Sequence, residues 1–236
     1  MPVAGCTMRR LHPPKADLRP TLELERALWA QGVRYVAGLD EAGRGAWAGP
    51  VVAGCVILPP HPNLENEWQS LRDSKGLTPN QRARWRERIC QVAIAWGVGM
   101  AWPEEIDHMG ILPATRLAMQ RALEQAGLPV EHLLLDALRL PGLSLPQTAL
   151  IRGDMQVMSI AAASILAKTA RDALMSELDR DYPGYGFAHH KGYGVPAHRL
   201  ALQRLGPSPI HRRSFGPLRH WLVTPASTQN SNPVIR

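Results

Sequence analysis

The stretch YVAGLDEAGRGAWAGPVVAGCVIL, residues 35–58, decides the architecture. Its ends are apolar: residues 35–39 and 51–58 read as strands, and Gly43, Gly45, Gly49 and Pro50 crowd the turn between them. Two such runs joined by a glycine-rich turn predict a β-hairpin. The first run ends on Asp40-Glu41, two carboxylates at a strand end, where α/β sheets gather their chemistry. Outward from the hairpin, strands and helices alternate. Leu22, Leu24, Ala27 and Leu28, set among Glu23, Glu25 and Arg26, predict a short helix before it. After it, Thr78 caps and Pro79 opens a second helix. Residues 93–101 read as a third strand, and residues 113–127 as a long helix with Leu117, Met119, Ala122 and Leu123 inside. Residues 132–135 form a short buried strand ending at Asp136, and TALIRG (residues 148–153) another that leads to Asp154. Met158, Ala162, Ile165, Leu166, Leu174 and Leu178 then recur at helical spacing. This order predicts one α/β domain over residues 21–223, with a loose arm at residues 1–20 and a polar tail at residues 224–236.

Composition narrows the class. Hydrophobic residues at 45% and charged ones at 20% exclude a disordered chain. Twenty-seven Lys and Arg against 20 Asp and Glu leave a net charge of +7, which favours a polyanionic partner, nucleic acid or an acidic membrane surface. The expected helices carry mixed charge, unlike a basic amphipathic membrane anchor. The longest apolar runs, residues 51–58 and 158–167, are too short to span a bilayer, and Arg9-Arg10 is followed by no apolar core of a secretory signal. Cys6, Cys55 and Cys90 have neither metal-finger nor redox-motif spacing, so free thiols in a reducing cytoplasm are expected.

Acidic residues stand out in a basic chain. Asp40, Glu41, Asp136 and Asp154 reach strand ends from three segments, and such a set suits two hard divalent cations, whose shells phosphate oxygens complete. Taken singly, each has an ordinary alternative: Asp before glycine is common turn chemistry, and Asp154 could cap the helix that follows it. Asp172 is a lesser candidate for the fourth carboxylate, deep in a helix.

The segment GLDEAGRGAWAGPVVAGCVIL (residues 38–58) resembles the signature of type 2 ribonuclease H, the ribonuclease HII family. Further blocks match in order: Asp73-Ser74-Lys75, PEEID at residues 103–107, RGDMQVMSIAAASILAKTARD at residues 152–172, YPGYGFAHHKGYGVPAH at residues 182–198 and GPSPIHRRSF at residues 206–215. Several long blocks in one order make a specific signal. The resemblance implies a ribonuclease H-like fold, a mixed sheet of about five strands flanked by helices, with a C-terminal helical region. It implies an endoribonuclease, expected to be monomeric, that cuts the RNA strand of RNA–DNA hybrids and also cuts 5′ of single ribonucleotides in duplex DNA, leaving a 3′-hydroxyl and a 5′-phosphate, in ribonucleotide removal from DNA. Two Mg²⁺ or Mn²⁺ ions would be held by Asp40, Glu41, Asp136 and Asp154. The ribose-sensing turn falls on Gly43, Arg44 and Gly45, and the substrate-reading tyrosine on Tyr193.

Where the family usually has glycine after its third carboxylate, this chain has Ala137; Arg152 replaces a commoner lysine, and Met155-Gln156 replace small or polar residues. Lys75, Lys168, Lys191 and the run His211-Arg212-Arg213 are candidate phosphate binders, with Ser74 and Ser164 beside them. For Lys168 a salt bridge to Asp172 at i+4 is an equal reading. His189 and His190 read as basic surface, and Trp47 as the one tryptophan near substrate. The tail shows no clear motif for binding a sliding clamp. A hybrid-binding protein that no longer cuts would have lost a carboxylate, and all four are present. The GRG turn and Tyr193 argue against a type 1 enzyme, which needs a run of ribonucleotides, and the related type 3 enzymes carry a different turn without GRG, so Arg44 points to type 2.

Overall fold

The computed structural model describes residues 19–72 and 74–223, so the expected arm, apart from Arg19 and Pro20, the expected tail, and Asp73 lie outside the described residues. The hairpin is β1 (Val36–Ala42) and β2 (Val51–Ile57), paired antiparallel. β3 (Ala95–Ala101) continues it antiparallel; β4 (His132–Asp136) and β5 (Gln147–Leu150) add on the other side of β1 in parallel. The result is a mixed five-stranded sheet in the order β3-β2-β1-β4-β5.

Period-two alternation sends the two faces of β2 to different layers. Val51, Ala53, Cys55 and Ile57 pack with α4 (Pro103–Met109) and α5 (Ile111–Ala126), while Val56 packs with the opposite layer. There lie α1 (Glu23–Ala30), the short α2 (Leu64–Glu67), α3 (Pro79–Val92) and the long α6 (Met158–Asp181). α3 starts as its sequence predicts: Thr78 Oγ1 accepts from Gln81 N, and Gln81 Oε1 accepts from Thr78 N. α6 sits close because small residues meet. A Cβ on Gly54 would overlap the carbonyl of Ala163, and one on Gly38 would overlap the backbone of Ser159.

α1 braces the start of α6. Thr21 forms a parallel bridge with Val157, and the buried Glu25 carboxylate accepts from Ser159 N at 2.9 Å. Burial raises the Glu25 pKa, the hydrogen bond from Ser159 N opposing it. A further cluster holds α7 (Phe187–His190), α8 (Pro196–Leu205) and α9 (Gly216–Val223) against the end of α6, through Met175, Leu178, Phe187, Leu202 and Leu218. Asp107, in the PEEID block, ties this region to α4 by accepting from Arg213 N at 2.9 Å and Ser214 N at 2.8 Å.

Some expectations shift. α4 is a separate seven-residue helix that apolar periodicity does not reveal. Of residues 148–153, expected to be extended before Asp154, only 148–150 belong to a strand; the chain then enters a short 3-10 helix, Gly153–Met155. Among the described residues, no helix is long and apolar enough to cross a membrane. Cys55 is a buried free thiol and Cys90 a half-buried one.

Candidate active site

Asp40 lies two residues before the end of β1 and Asp136 ends β4, its parallel neighbour, in a register that pairs Leu39 with Leu135. Asp154 follows β5 in the 3-10 helix, which is stitched to β4 because Asp136 Oδ1 accepts from Gly153 N at 2.8 Å. One oxygen from each of Asp40, Asp136 and Asp154 lies within 4.8 Å of the others. Asp154 does not cap α6: its N-cap is Val157, without a side-chain cap. Burial raises the Asp40 pKa well above the carboxylate range, and repulsion from Glu41 and Asp136 adds to it. Glu41 is not one of the three corners of this triangle, though its charge acts on Asp40 and that of Asp136 acts on it. Its Oε1 receives Arg44 Nη1 at 3.0 Å, while its Oε2 is buried with no hydrogen-bond partner. Burial raises its pKa against the lowering pull of Arg44. Lys75 approaches Asp154 at 3.7 Å from an exposed position.

A hard divalent cation fits this set. The donors are all carboxylate oxygens, three of them crowd within 4.8 Å of one another, and Glu41 keeps a buried acceptor unspent. Ala137, directly after Asp136, has φ 58°, the left-handed region that explains why glycine is usual at this place.

The turn after β1 is built from carbonyls. Gly43 has φ 87°, and any Cβ there would strike Arg171. Gly45 is exposed, with open space where a Cβ would stand, so the chain's own packing does not demand glycine there. Beneath the turn lie two buried guanidinium groups. Arg171 donates to Pro50 O at 2.9 Å, Ala48 O at 3.1 Å and Lys191 O at 2.9 Å. Arg212, fully buried, donates to Gly49 O and Arg44 O, each at 2.9 Å. Burial lowers the Arg212 pKa to about 9, the neighbouring Arg171 charge adding to the effect. Carbonyl dipoles offset part of the cost of burying these charges.

Tyr193 stands at the rim of this assembly, 37% exposed, with the Arg171 guanidinium 5.5 Å from its ring centre. The expected phosphate binders divide. Lys75 and Arg213 are exposed, while Lys191 is half-buried and donates to Ser176 Oγ at 2.7 Å. The structure corrects the surface role expected of His211 and Arg212: both are buried, and Arg212 supports the turn instead. Ser74 and Ser164 are buried and bonded to each other at 2.7 Å. Lys168 pairs with Asp172 at 2.7 Å, and Arg82 lies 3.8 Å from the same carboxylate, so Asp172 is occupied away from the triangle. His189 is exposed, but His190 is half-buried and hydrogen-bonds Tyr185 O at 2.8 Å. Trp47 packs 5.7 Å from His198, with Arg199 over its ring.

Sequence reading missed Arg171, Glu25, Asp107, His198 and the true setting of His211. Arg171 left one trace: it falls four residues before Met175 and seven before Leu178, a charge on the apolar stripe of α6.

The ribonuclease HII family profile matches residues 37–217. The chain is 59% identical over 202 residues to ribonuclease HII of Synechococcus sp. (strain JA-3-3Ab), covering 86% of this chain and 90% of that protein. It is 54% identical over 213 residues to ribonuclease HII of Roseiflexus castenholzii (strain DSM 13941 / HLO8), covering 90% and 94%. Its fold is similar to the crystal structure of ribonuclease H2 from Pyrococcus horikoshii OT3, with TM-score 0.67, 26% identity, and coverage of 79% of this chain and 96% of that one.

Proposed function

The chain belongs to the ribonuclease HII family, and from that premise we propose that it nicks duplex DNA immediately 5′ of a single embedded ribonucleotide, leaving a 3′-hydroxyl and a 5′-phosphate, as a step in removing ribonucleotides from DNA. Membership makes it a metal-dependent endoribonuclease that hydrolyses the RNA of RNA–DNA hybrids. The finer reading rests chiefly on one observation: the turn carrying Gly43, Arg44 and Gly45, which follows directly on β1 with Asp40 and Glu41, and the loop carrying Tyr193 are held against the same buried arginine, Arg171.

In this reading Asp40, Asp136 and Asp154 hold divalent cations, Mg²⁺ or Mn²⁺, and the unspent Oε2 of Glu41 joins them. When bound, such ions activate water and stabilise the leaving oxygen of a phosphodiester. The protein supplies the aim. Asp136 fixes the Asp154 turn through Gly153 N, so the triangle is set before substrate arrives. Gly45, with nothing against its Cβ position, lets backbone groups approach a ribose, whose 2′-hydroxyl both donates and accepts. Arg44, exposed at the tip of the turn, and Lys75 are within the site's reach for phosphate oxygens. Tyr193 offers its ring face to the adjoining sugar, and Lys191, Arg213 and the supporting Ser74 and Arg212 complete the substrate side.

The test is a map of the cut. With Mg²⁺ and separately with Mn²⁺, duplexes holding one ribonucleotide, a run of ribonucleotides, or none are digested and the product ends identified. A single cut on the 5′ side of the lone ribonucleotide, with a 3′-hydroxyl, is expected. Cleavage of the run alone would refute the single-ribonucleotide reading and leave family membership standing.

A further inference from the structure

Three buried groups outside the carboxylate triangle form a directed chain ending at Tyr193. Ser208 N donates to His211 Nδ1 at 2.9 Å, with Ser208 Oγ 2.8 Å from the same nitrogen. That nitrogen is therefore an acceptor, and neutral His211 carries its proton on Nε2. His211 Nε2 lies 3.0 Å from His198 Nε2, which must then accept. The His198 proton is left on Nδ1, 3.0 Å from the carbonyl oxygen of Tyr193, a group that can only accept. Every ring nitrogen is assigned, and each assignment agrees with the next. His198 and His211 are both buried.

The surroundings hold Tyr193 from its other side as well. Tyr193 N donates to His190 O at 3.0 Å, and the His190 ring stacks on His198 at 4.5 Å and 18°. His190 is itself anchored by Tyr185 O and Gly192 N. Trp47, from the ribose-sensing turn, lies 5.7 Å from His198, and a Cβ on Gly194 would run into its ring. Ser208, His211 and His198 resemble a nucleophilic triad in composition only. Ser208 is buried, and its backbone N–H already bonds the imidazole that would have to activate its hydroxyl.

We propose that the His198–His211 pair is a positioning device for Tyr193, and that through the Tyr193 carbonyl it sets the enzyme's preference for a single ribonucleotide over a continuous hybrid. The inference rests on the reading of Tyr193 as a substrate contact. Neither imidazole touches substrate. Their part is to orient the peptide group that fixes where the tyrosine ring stands beside the turn.

The experiment measures kcat/KM on a duplex with one ribonucleotide and on a uniform RNA–DNA hybrid, and takes their ratio. Variants are His198→Phe, which keeps ring volume and removes the donor; His198→Asn, whose amide nitrogen stands near the place of Nδ1; Tyr193→Ala; and the double variant Tyr193→Ala with His198→Phe. His198→Phe is expected to lower the ratio about tenfold, the size of one lost hydrogen bond in fold-change, and His198→Asn to restore most of it. In the Tyr193→Ala background, His198→Phe adds no further loss, since groups acting through one another are not additive. If His198→Phe does not fold by thermal melting, His211→Asn replaces it in both backgrounds; it keeps an acceptor for Ser208 N–H and removes the link to His198 together with the ring contacts to Tyr185 and Phe187. A merely structural role lowers both substrates alike and multiplies with Tyr193→Ala; either result overturns the proposal. An unchanged ratio in Tyr193→Ala alone overturns the reading of Tyr193 and the positioning role with it, whereas a lowered ratio there beside an unaffected histidine variant overturns the positioning role alone.

Discussion

Asp40 is under electrostatic tension. It is buried beside two other carboxylates, and its ionised form is penalised by desolvation and by their charge. Replacing it with asparagine removes that repulsion while keeping the shape. Asp40→Asn is therefore expected to raise the melting temperature of the metal-free protein while lowering hydrolysis more than about a hundredfold, beyond the loss typical for a ligand's outer partner. An Asp40→Asn variant that is active, or less stable without metal, contradicts this assignment. Ala137 holds strain of a different kind. Ala137→Gly relieves a left-handed φ and is expected to stabilise the fold by about 1 kcal/mol in urea unfolding. At this scale the sequence was most legible where chemistry sits in side chains: Asp40, Asp136 and Asp154, named from strand ends, do meet. Arg171 and Arg212 were not legible as supports because their partners are backbone carbonyls, which any residue provides.

Between elements, the closest contact is α6 against the sheet. Gly54→Ala would force α6 off β2, with a cost of about 3 kcal/mol or an unfolded chain. The α1 brace responds differently to two changes. Glu25→Gln keeps the acceptor for Ser159 N and removes a carboxyl whose pKa burial raises, so it should leave stability unchanged or improved near neutral pH; Glu25→Ala empties the bond and destabilises by about 2 kcal/mol. Denaturant midpoints of the pair decide it. The His198–His211 contact adds a pH signature. Both pKa values are held to about 4 by burial, each imidazole also opposed by a neighbouring one, against 6.5 for the free side chain. A depressed folded pKa in a base means that the unfolded chain takes up the proton first. Stability is therefore at its full value above pH 6.5, falls as pH drops towards 4, and levels off below. His190, Tyr185, Phe187, Trp47, Ser208 and the Tyr193 carbonyl face the pair, and none supplies a carboxylate to hold the added charge. Urea unfolding between pH 7.5 and pH 4 should show His211→Asn with a shallower slope than the parent; identical slopes would contradict the assignment. The start of α3 was readable from Thr78-Pro79, as capping is local chemistry, whereas α4 was too short to show a period. The glycine turn was read correctly as a connection, but its scaffold comes from α6 and from residues 210–212, far along the chain.

Across the whole molecule, the parallel pairing of β1 with β4 brings Asp40 beside Asp136, and β5 delivers Asp154 to the same end of the sheet. The mixed sheet was foreseen from the family resemblance rather than from apolar patterning, which gives strands without their order. The chain carries a net charge of +7 while its site is built of carboxylates, a combination suited to a polyanion drawn to a site where cations meet its phosphate. Hybrid binding should accordingly weaken steeply with salt, seen as a linear fall of log affinity with log salt concentration. The central claim is tested most directly by one rate: cleavage of a duplex carrying a single ribonucleotide, with Mg²⁺ and with chelator, for the parent protein and for Asp40→Asn. The account predicts a metal-dependent cut on the 5′ side of that ribonucleotide, lost with chelator and lost in the variant. A cut that survives either change, or its absence from the parent protein while long hybrids are cleaved, would contradict it.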